Sequence, residues 1–139
     1  MTWPQGTRQR GQALVEAALM MPVLLLALMG AAGIGLVART DGGVAGVAAE
    51  AARAAALAST PAAAEIAGND RAYQVAAGYG LTDPSLHVDV DTSDFRRGGE
   101  VRSVVTYRLS LQALPLVGWV EVPLRRTGAQ PVARNRSFR

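Results

Sequence analysis

A carboxylate near the N-terminus stands at the edge of a long apolar segment. Glu16 is followed by residues 17–38, which contain no charged side chain. A carboxylate in hydrocarbon costs several kcal/mol at the centre of a bilayer and less near its surface. Taken alone, Glu16 is explained as an interfacial side chain that reaches water, or as an acid that favours a helix N-terminus through the helix dipole.

Three further acids and one histidine share a predicted strand and the loop that follows it. Asp89, Asp91 and Asp94 offer oxygen ligands of the kind that calcium prefers. The chain lacks an Asp-x-Asp-x-Asp-Gly loop that closes with a distant Glu, so we expect a solvated strand face and no metal. His87 lies on the same polar face and is interpreted as a surface residue rather than a catalytic base.

The sequence contains no other constellation that points to catalysis. No Gly-x-Ser-x-Gly elbow accompanies its serines, and no phosphate-binding loop is present. The absence of cysteine excludes disulfides and thiolate metal sites but does not settle the compartment. We therefore expect neither a cofactor nor a small-molecule substrate, and we expect that the protein is not an enzyme.

The composition favours a membrane helix over a large soluble core. Hydrophobic residues make up 50% of the chain but aromatic residues only 5%. Residues 17–38 would form a helix about 33 Å long at ~1.5 Å per residue, and a hydrocarbon core is about 30 Å thick. A helix satisfies its backbone hydrogen bonds within lipid and tolerates Pro22 there. We predict a single-pass membrane protein, with membrane lipid as a partner.

The charges that flank the apolar segment predict its orientation. Arg8 and Arg10 precede it, whereas Arg39 and Asp41 follow it and cancel each other. The positive-inside rule places residues 1–11 in the cytoplasm and the remainder outside. A cleaved signal peptide is the rival interpretation, but its apolar region would be shorter, at about 7–15 residues.

The order of residues around Glu16 is typical of a class III signal, as in type IV prepilins. A basic, polar leader ends in Gly11, a short apolar link leads to Glu16, and an apolar helix begins at once. Residues 10–26 resemble the TadE-like family of minor pilins and pseudopilins of tight-adherence (Tad/Flp) pili. In that family a Gly, a short link, Val-Glu and an apolar run with a proline recur. The family often has Phe or Tyr after the Glu, where this chain has Ala17.

The resemblance implies a processing step and an assembly step. A prepilin peptidase would cut after Gly11 on the cytoplasmic side and leave Gln12 with a new positive amine. Glu16 would lie about one helical turn away, and its carboxylate would offset the amine of a neighbouring subunit. The implied partners are the prepilin peptidase, other pilins or pseudopilins and the pilus assembly platform, with no nucleic acid. The resemblance also implies a bacterial cytoplasmic membrane as the location, with the C-terminal domain outside, and a pilus or the cell surface as the location after processing.

The predicted fold class is α+β, with a long transmembrane helix, a shorter helix and a small antiparallel sheet of about three strands. Thr60 is a predicted cap for the second helix, Pro61 its first residue, and Gly78 and Gly80 its end. Pro123 confines the third strand to an edge. The chain is predicted to consist of four segments: a cytoplasmic leader (1–11), a transmembrane helix (12–58), an exported domain (59–127) and a disordered Arg-rich tail (128–139). Within the exported domain, strands are predicted at 86–91, 101–111 and 119–125.

Two functions remain open at this point. The first is a minor pilin or pseudopilin that is processed after Gly11 and takes part in the assembly of a Tad/Flp-type pilus. The second is an uncleaved, single-pass membrane-anchored accessory or binding domain, in which Glu16 has no special role. Cleavage after Gly11 distinguishes them.

Overall fold

The chain forms two helices followed by three strands. The computed structural model describes residues 6–81, 84–115 and 118–132, and for residues 6–10 the backbone alone. The predicted α+β class is confirmed. Two compact units are present, Met1–Gly35 and Leu36–Arg139. The elements are α1 (Gly6–Ala56), α2 (Pro61–Gly78), β1 (His87–Asp91), β2 (Glu100–Ser110) and β3 (Glu121–Pro131).

The described part of the first unit belongs entirely to α1. Among the described residues, one helix, Gly11–Ala56, is long and apolar enough to cross a membrane. Large side chains along it are exposed, with 55% of Leu25 and 73% of Met20 accessible. Pro22 lies inside the helix without ending it. Apolar surface on this scale requires an environment other than water.

The second unit contains an antiparallel sheet in the order β1-β2-β3. Because side chains alternate along each strand, Val101, Val105, Tyr107 and Leu109 all point to one buried face of the central strand. Pro123 lies in an edge strand, as its sequence context predicts.

The second helix begins and ends at the predicted signals. Thr60 has an extended backbone, and its hydroxyl accepts a hydrogen bond of 3.2 Å from the Ala63 N–H. Pro61 occupies the first helical position, where a missing N–H costs nothing. The helix ends at Gly78, and Gly80 follows with a φ of 75°, a conformation that glycine adopts without strain.

The core of the second unit depends on close approach of small residues. A Cβ added to Gly68 of α2 would lie 3.2 Å from the Cβ of Ala55 in α1. A Cβ added to Gly128 of β3 would collide with the backbone oxygen of Ala48. Backbones therefore meet almost directly, which explains how a domain with few aromatic residues excludes water. The buried residues of α1 are mostly alanine and valine: Val44, Val47, Ala48, Ala51, Ala52, Ala55 and Ala56.

The glycines after residue 41 do not interrupt α1. Although glycine has a low helix propensity, α1 continues through Gly42, Gly43 and Gly46 to Ala56. A Cβ added to Gly43 would lie 3.3 Å from Cγ of Tyr79. A Cβ added to Gly46 would lie 3.1 Å from the hydroxyl oxygen of Tyr79. The absence of side chains at these two glycines therefore lets the Tyr79 ring pack directly against α1. Tyr79 is the C-cap residue of α2.

The C-terminal prediction requires correction. The third strand was expected at residues 119–125 and the disordered tail from residue 128, but β3 runs from Glu121 to Pro131. After Thr127 the strand contains Gly128, Ala129 and Pro131, which are depleted in strands. Pairing with β2 holds this part in place, from Val104 opposite Thr127 to Glu100 opposite Pro131. Residues 133–139, with the remaining tail arginines, lie outside the described residues.

Candidate processing and assembly site

Gly11 has no packing role in the fold. It lies inside α1 and is exposed, and a Cβ added there would meet nothing within 4 Å among the described residues. Glycine in the middle of a helix costs about 0.5–1 kcal/mol relative to alanine.

Gln12 and Glu16 are brought together by the helix. The amide nitrogen Nε2 of Gln12 donates a hydrogen bond of 3.2 Å to Oε1 of Glu16. Gln12 and Glu16 are 4 positions apart in the chain, and residues with this spacing are neighbours on a helix surface. The structure thus places the three predicted site residues on adjacent turns, with Glu16 exposed. It does not test whether the chain is cleaved after Gly11, so the roles of Gly11, Gln12 and Glu16 remain predictions.

The surroundings of Glu16 determine what its carboxylate can do. The neighbouring large apolar residues are exposed, with 60% of Val15 and 70% of Leu19 accessible. When such a surface enters lipid or a bundle of helices, Glu16 enters a medium in which charge interactions are stronger than in water. An unpaired charge there is costly, and a partner of opposite charge offsets part of that cost. The arrangement therefore suits binding of a cation rather than proton transfer to a substrate.

The acids and the histidine on β1 have local roles. Asp91 accepts a hydrogen bond of 2.9 Å from the Ser93 N–H. Hydrogen bonds from the Ser93 side chain and backbone hold the pKa of Asp91 below its usual value. Asp94 forms an ion pair of 2.6 Å with Nε of Arg96. His87 and Asp89 are exposed on β1. Among the described ranges, no group of three or more His, Cys, Asp or Glu residues is placed to hold a metal ion.

One interaction of the domain was missed in the sequence. The sequence sets the charge of Asp41 against that of Arg39, its neighbour along the chain. In the structure Nε of Arg126 donates to Oδ1 of Asp41 at 2.8 Å, and Nη2 of Arg126 donates to the other oxygen. The hydrogen bond from Arg126 lowers the pKa of the Asp41 carboxyl, and the pair raises the pKa of Arg126. No sequence signal joins these two residues.

One apolar N-terminal helix joined to a small α+β domain defines the class of single-span, membrane-anchored proteins. Residues 11–53 match the family model described as TadE-like protein, which confirms the resemblance. No curated protein and no solved structure matches the chain. The match begins at Gly11, includes Gln12 and Glu16, and stops before α2 and the sheet. The matched family is pilus-related and of a structural, non-enzymatic kind.

Proposed function

We propose that the chain is a minor pilin or pseudopilin of a Tad/Flp-type pilus, processed by a prepilin peptidase after Gly11. The observation that carries the proposal is Gly11 itself: it is an exposed glycine inside a helix, without a packing role, at the start of the segment that matches the TadE-like family. The protein acts as an assembly component and catalyses no reaction.

The helix has to open for this cleavage. Because α1 begins at Gly6, the bond between Gly11 and Gln12 lies within a helical turn of the uncut chain. Glycine has the lowest helix propensity after proline, so this turn unwinds at less cost than one with alanine at the same position. A residue without a side chain also lets the peptidase approach the backbone closely.

Cleavage gives Glu16 a new kind of partner. In the uncut chain its carboxylate accepts the hydrogen bond from the neutral Gln12 amide. After cleavage Gln12 carries a positive amine, and the Glu16 of an adjacent subunit can pair with it. Such a pair fixes the axial register of each helix relative to its neighbour in the bundle. The reason is that either charge is unfavourable when it is left unpaired in a low-dielectric environment.

The experiment is N-terminal sequencing of the protein recovered from its native membrane. We expect the wild-type chain to begin at Gln12 and the Gly11→Leu variant to remain uncut. Gly30→Leu is the matched control, because Gly30 also lies in α1 with nothing within 4 Å of an added Cβ. It should be processed like the wild type. A full-length N-terminus in all three chains would contradict the proposal and leave an uncleaved membrane-anchored accessory domain.

The proposed orientation has its own test. We propose that the leader is cytoplasmic and that the residues after α1 leaves the bilayer are outside. Because the chain has no cysteine, Asp70→Cys on the exposed surface of α2 introduces a single thiol. A maleimide that does not cross membranes should label it in intact spheroplasts. Labelling that appears only after lysis would place the domain in the cytoplasm.

A further inference from the structure

The sheet has a second face, on the side opposite the buried one. Because side chains alternate along each strand, the residues between the buried positions of β2 point to this side, together with their partners in the ladder. We call it the outer face and define it by six residues that are exposed or half-buried: Asp89 and Asp91 on β1, Val104 and Thr106 on β2, and Arg125 and Thr127 on β3.

The two sides of the outer face carry opposite charges. Asp89 and Asp91 lie on β1, whereas Arg125 lies on β3, and Arg108 of β2 lies in the row next to Arg125. Among the described residues, the side chains of Asp89, Arg108 and Arg125 form no ion pair. Glu121 at the start of β3 offsets one of the two arginines, and a net positive charge remains on that side.

The centre of the outer face is uncharged and built from small side chains. Val104 and Thr106 are half-buried there, and Thr127 is exposed beside them. Arg102, further along β2, is already paired with Glu100 at 2.6 Å. Small side chains let a second sheet approach to the usual spacing of about 10 Å. An uncharged centre between charged margins is the composition of a protein–protein interface.

The distribution of charge and proline indicates what binds to this face. A polyanion attracted by the arginines would be repelled by Asp89 and Asp91 on the same face, whereas a second copy of the chain offers both charges in complementary places. Pairing along the edge of β3 is disfavoured, because Pro123 and Pro131 have no N–H to donate to an added strand. The face of the sheet is therefore the better surface for a second copy.

We propose that the outer face binds the outer face of a second copy, with Asp89 of each copy close to Arg125 of the other. A two-fold axis that runs along β2 lays β1 of each copy over β3 of the other and forms this contact twice. The patch is about 14 Å wide and about 20 Å long, so the association is weak. It is separate from the pairing of Glu16, and its loss leaves entry into pili unchanged.

The test is chemical cross-linking of the full chain in detergent micelles. Because the chain has no cysteine, Thr106→Cys gives a single thiol at the centre of the outer face. We expect a short bis-maleimide to yield dimers, and we expect the yield to fall several-fold at high salt. Adding Asp89→Arg or Arg125→Asp should lower it to a similar extent, since either change sets like charges opposite each other. Asp70→Arg, which reverses an exposed acid on α2, is the control and should leave the yield unchanged.

Mixing the two reversed chains separates a direct contact from misfolding. Asp89→Arg and Arg125→Asp, one of them with a size tag, should form the mixed dimer and few dimers of either chain alone. The chain with both changes should regain dimers. Equal yields in all chains would attribute the dimers to α1 and overturn the proposal. Charge-independent cross-linking, with heparin binding that Arg125→Asp abolishes, would assign the face to a polyanion instead. None of these results depends on cleavage after Gly11.

Discussion

Arg126 of β3 and Asp41 of α1 are joined by two hydrogen bonds, which tie the edge strand of the sheet to the first helix. Nε of Arg126 donates to one carboxylate oxygen at 2.8 Å, and Nη2 donates to the other. A guanidinium group presents two parallel N–H donors in this geometry, which fixes direction as well as distance. The pair therefore joins β3 to α1 at one defined point along each element.

Removal of the Asp41 carboxylate should lower the melting temperature of the protein. Asp41→Asn keeps the size of the side chain but replaces the carboxylate, whose two oxygens accept the hydrogen bonds from Arg126, with a neutral amide. We expect a fall of Tm by a few degrees at pH 7, measured by circular dichroism in detergent micelles. Asp70→Asn is the control, since Asp70 is exposed on α2. The double variant Asp41→Arg with Arg126→Asp should recover part of the loss, and no recovery would count against a direct pairing.

The same pair should make stability depend on acid pH. The pKa of Asp41 is lowered from its ordinary value of 3.8, mainly by the hydrogen bond from Arg126. A carboxyl with a lowered pKa contributes stability that is fully present above its unfolded-state value and is lost as the pH falls through the folded-state value. The Tm difference between wild type and Asp41→Asn should therefore shrink below about pH 4. A constant difference down to pH 2 would contradict this assignment.

Two glycine-to-alanine changes should have opposite effects. Gly128→Ala places a Cβ against the Ala48 backbone oxygen, and the strand has to move away from the helix. Overpacking of this kind costs about 1–3 kcal/mol. Gly42→Ala meets nothing within 4 Å on α1 and should stabilise the helix by about 0.5–1 kcal/mol. Urea unfolding compares the two variants, and equal midpoints would contradict the close approach of β3 to α1.

A buried hydroxyl in the central strand should be dispensable. Ser103 is 0% exposed, and its Oγ has no hydrogen-bond partner among the described residues. An unsatisfied buried polar group costs about 1–3 kcal/mol, so Ser103→Ala should leave the free energy of unfolding unchanged or raise it by about 1 kcal/mol. Ser85→Ala is the contrast, because the Ser85 hydroxyl donates to the Arg108 carbonyl at 3.2 Å. It should lower the unfolding free energy by about 0.5–1.5 kcal/mol, and a clear loss in Ser103→Ala would reveal a hidden partner.

Glu16 should act after processing and not during it. Glu16→Gln removes the charge but keeps the hydrogen-bonding group that meets Gln12. We expect normal cleavage after Gly11, measured by N-terminal sequencing, and a strong loss of the protein from the sheared pilus fraction. Asp89→Asn, an exposed acid on β1, should assemble normally. Normal recovery of Glu16→Gln in pili would falsify the charge-pairing role.

Local signals in the sequence were sufficient for most of the elements. The uncharged run before Arg39 predicted the exposed apolar helix, because side chains in lipid have to be apolar along a whole span. Thr60 and Pro61 predicted the start of α2, because the first N–H groups of a helix have no partner within the helix. The Thr60 hydroxyl accepts a hydrogen bond from one of them, and Pro61 has no N–H. The alternation around Val88 and Val105 predicted strands, because one face of the sheet is covered by helices.

Non-local contacts decided the features that the sequence did not reveal. β3 extends to Pro131 because the backbone of β2 offers hydrogen-bonding partners along its whole length, whatever the side chains of β3 are. Gly128 reads as a loop residue in the sequence, yet it is the residue that lets the strand touch Ala48.

The sequence by itself determined the membrane helix, the Gly11-to-Glu16 segment and the fold class, since each depends on residues that are close along the chain. Only the tertiary structure decided that Asp41 pairs with Arg126 and that Gly128 lies against the backbone of Ala48. Those relationships depend on how α1 and β3 align, and that alignment is set by packing of alanine, valine and glycine surfaces. Such surfaces leave no periodic signal that distinguishes one partner from another.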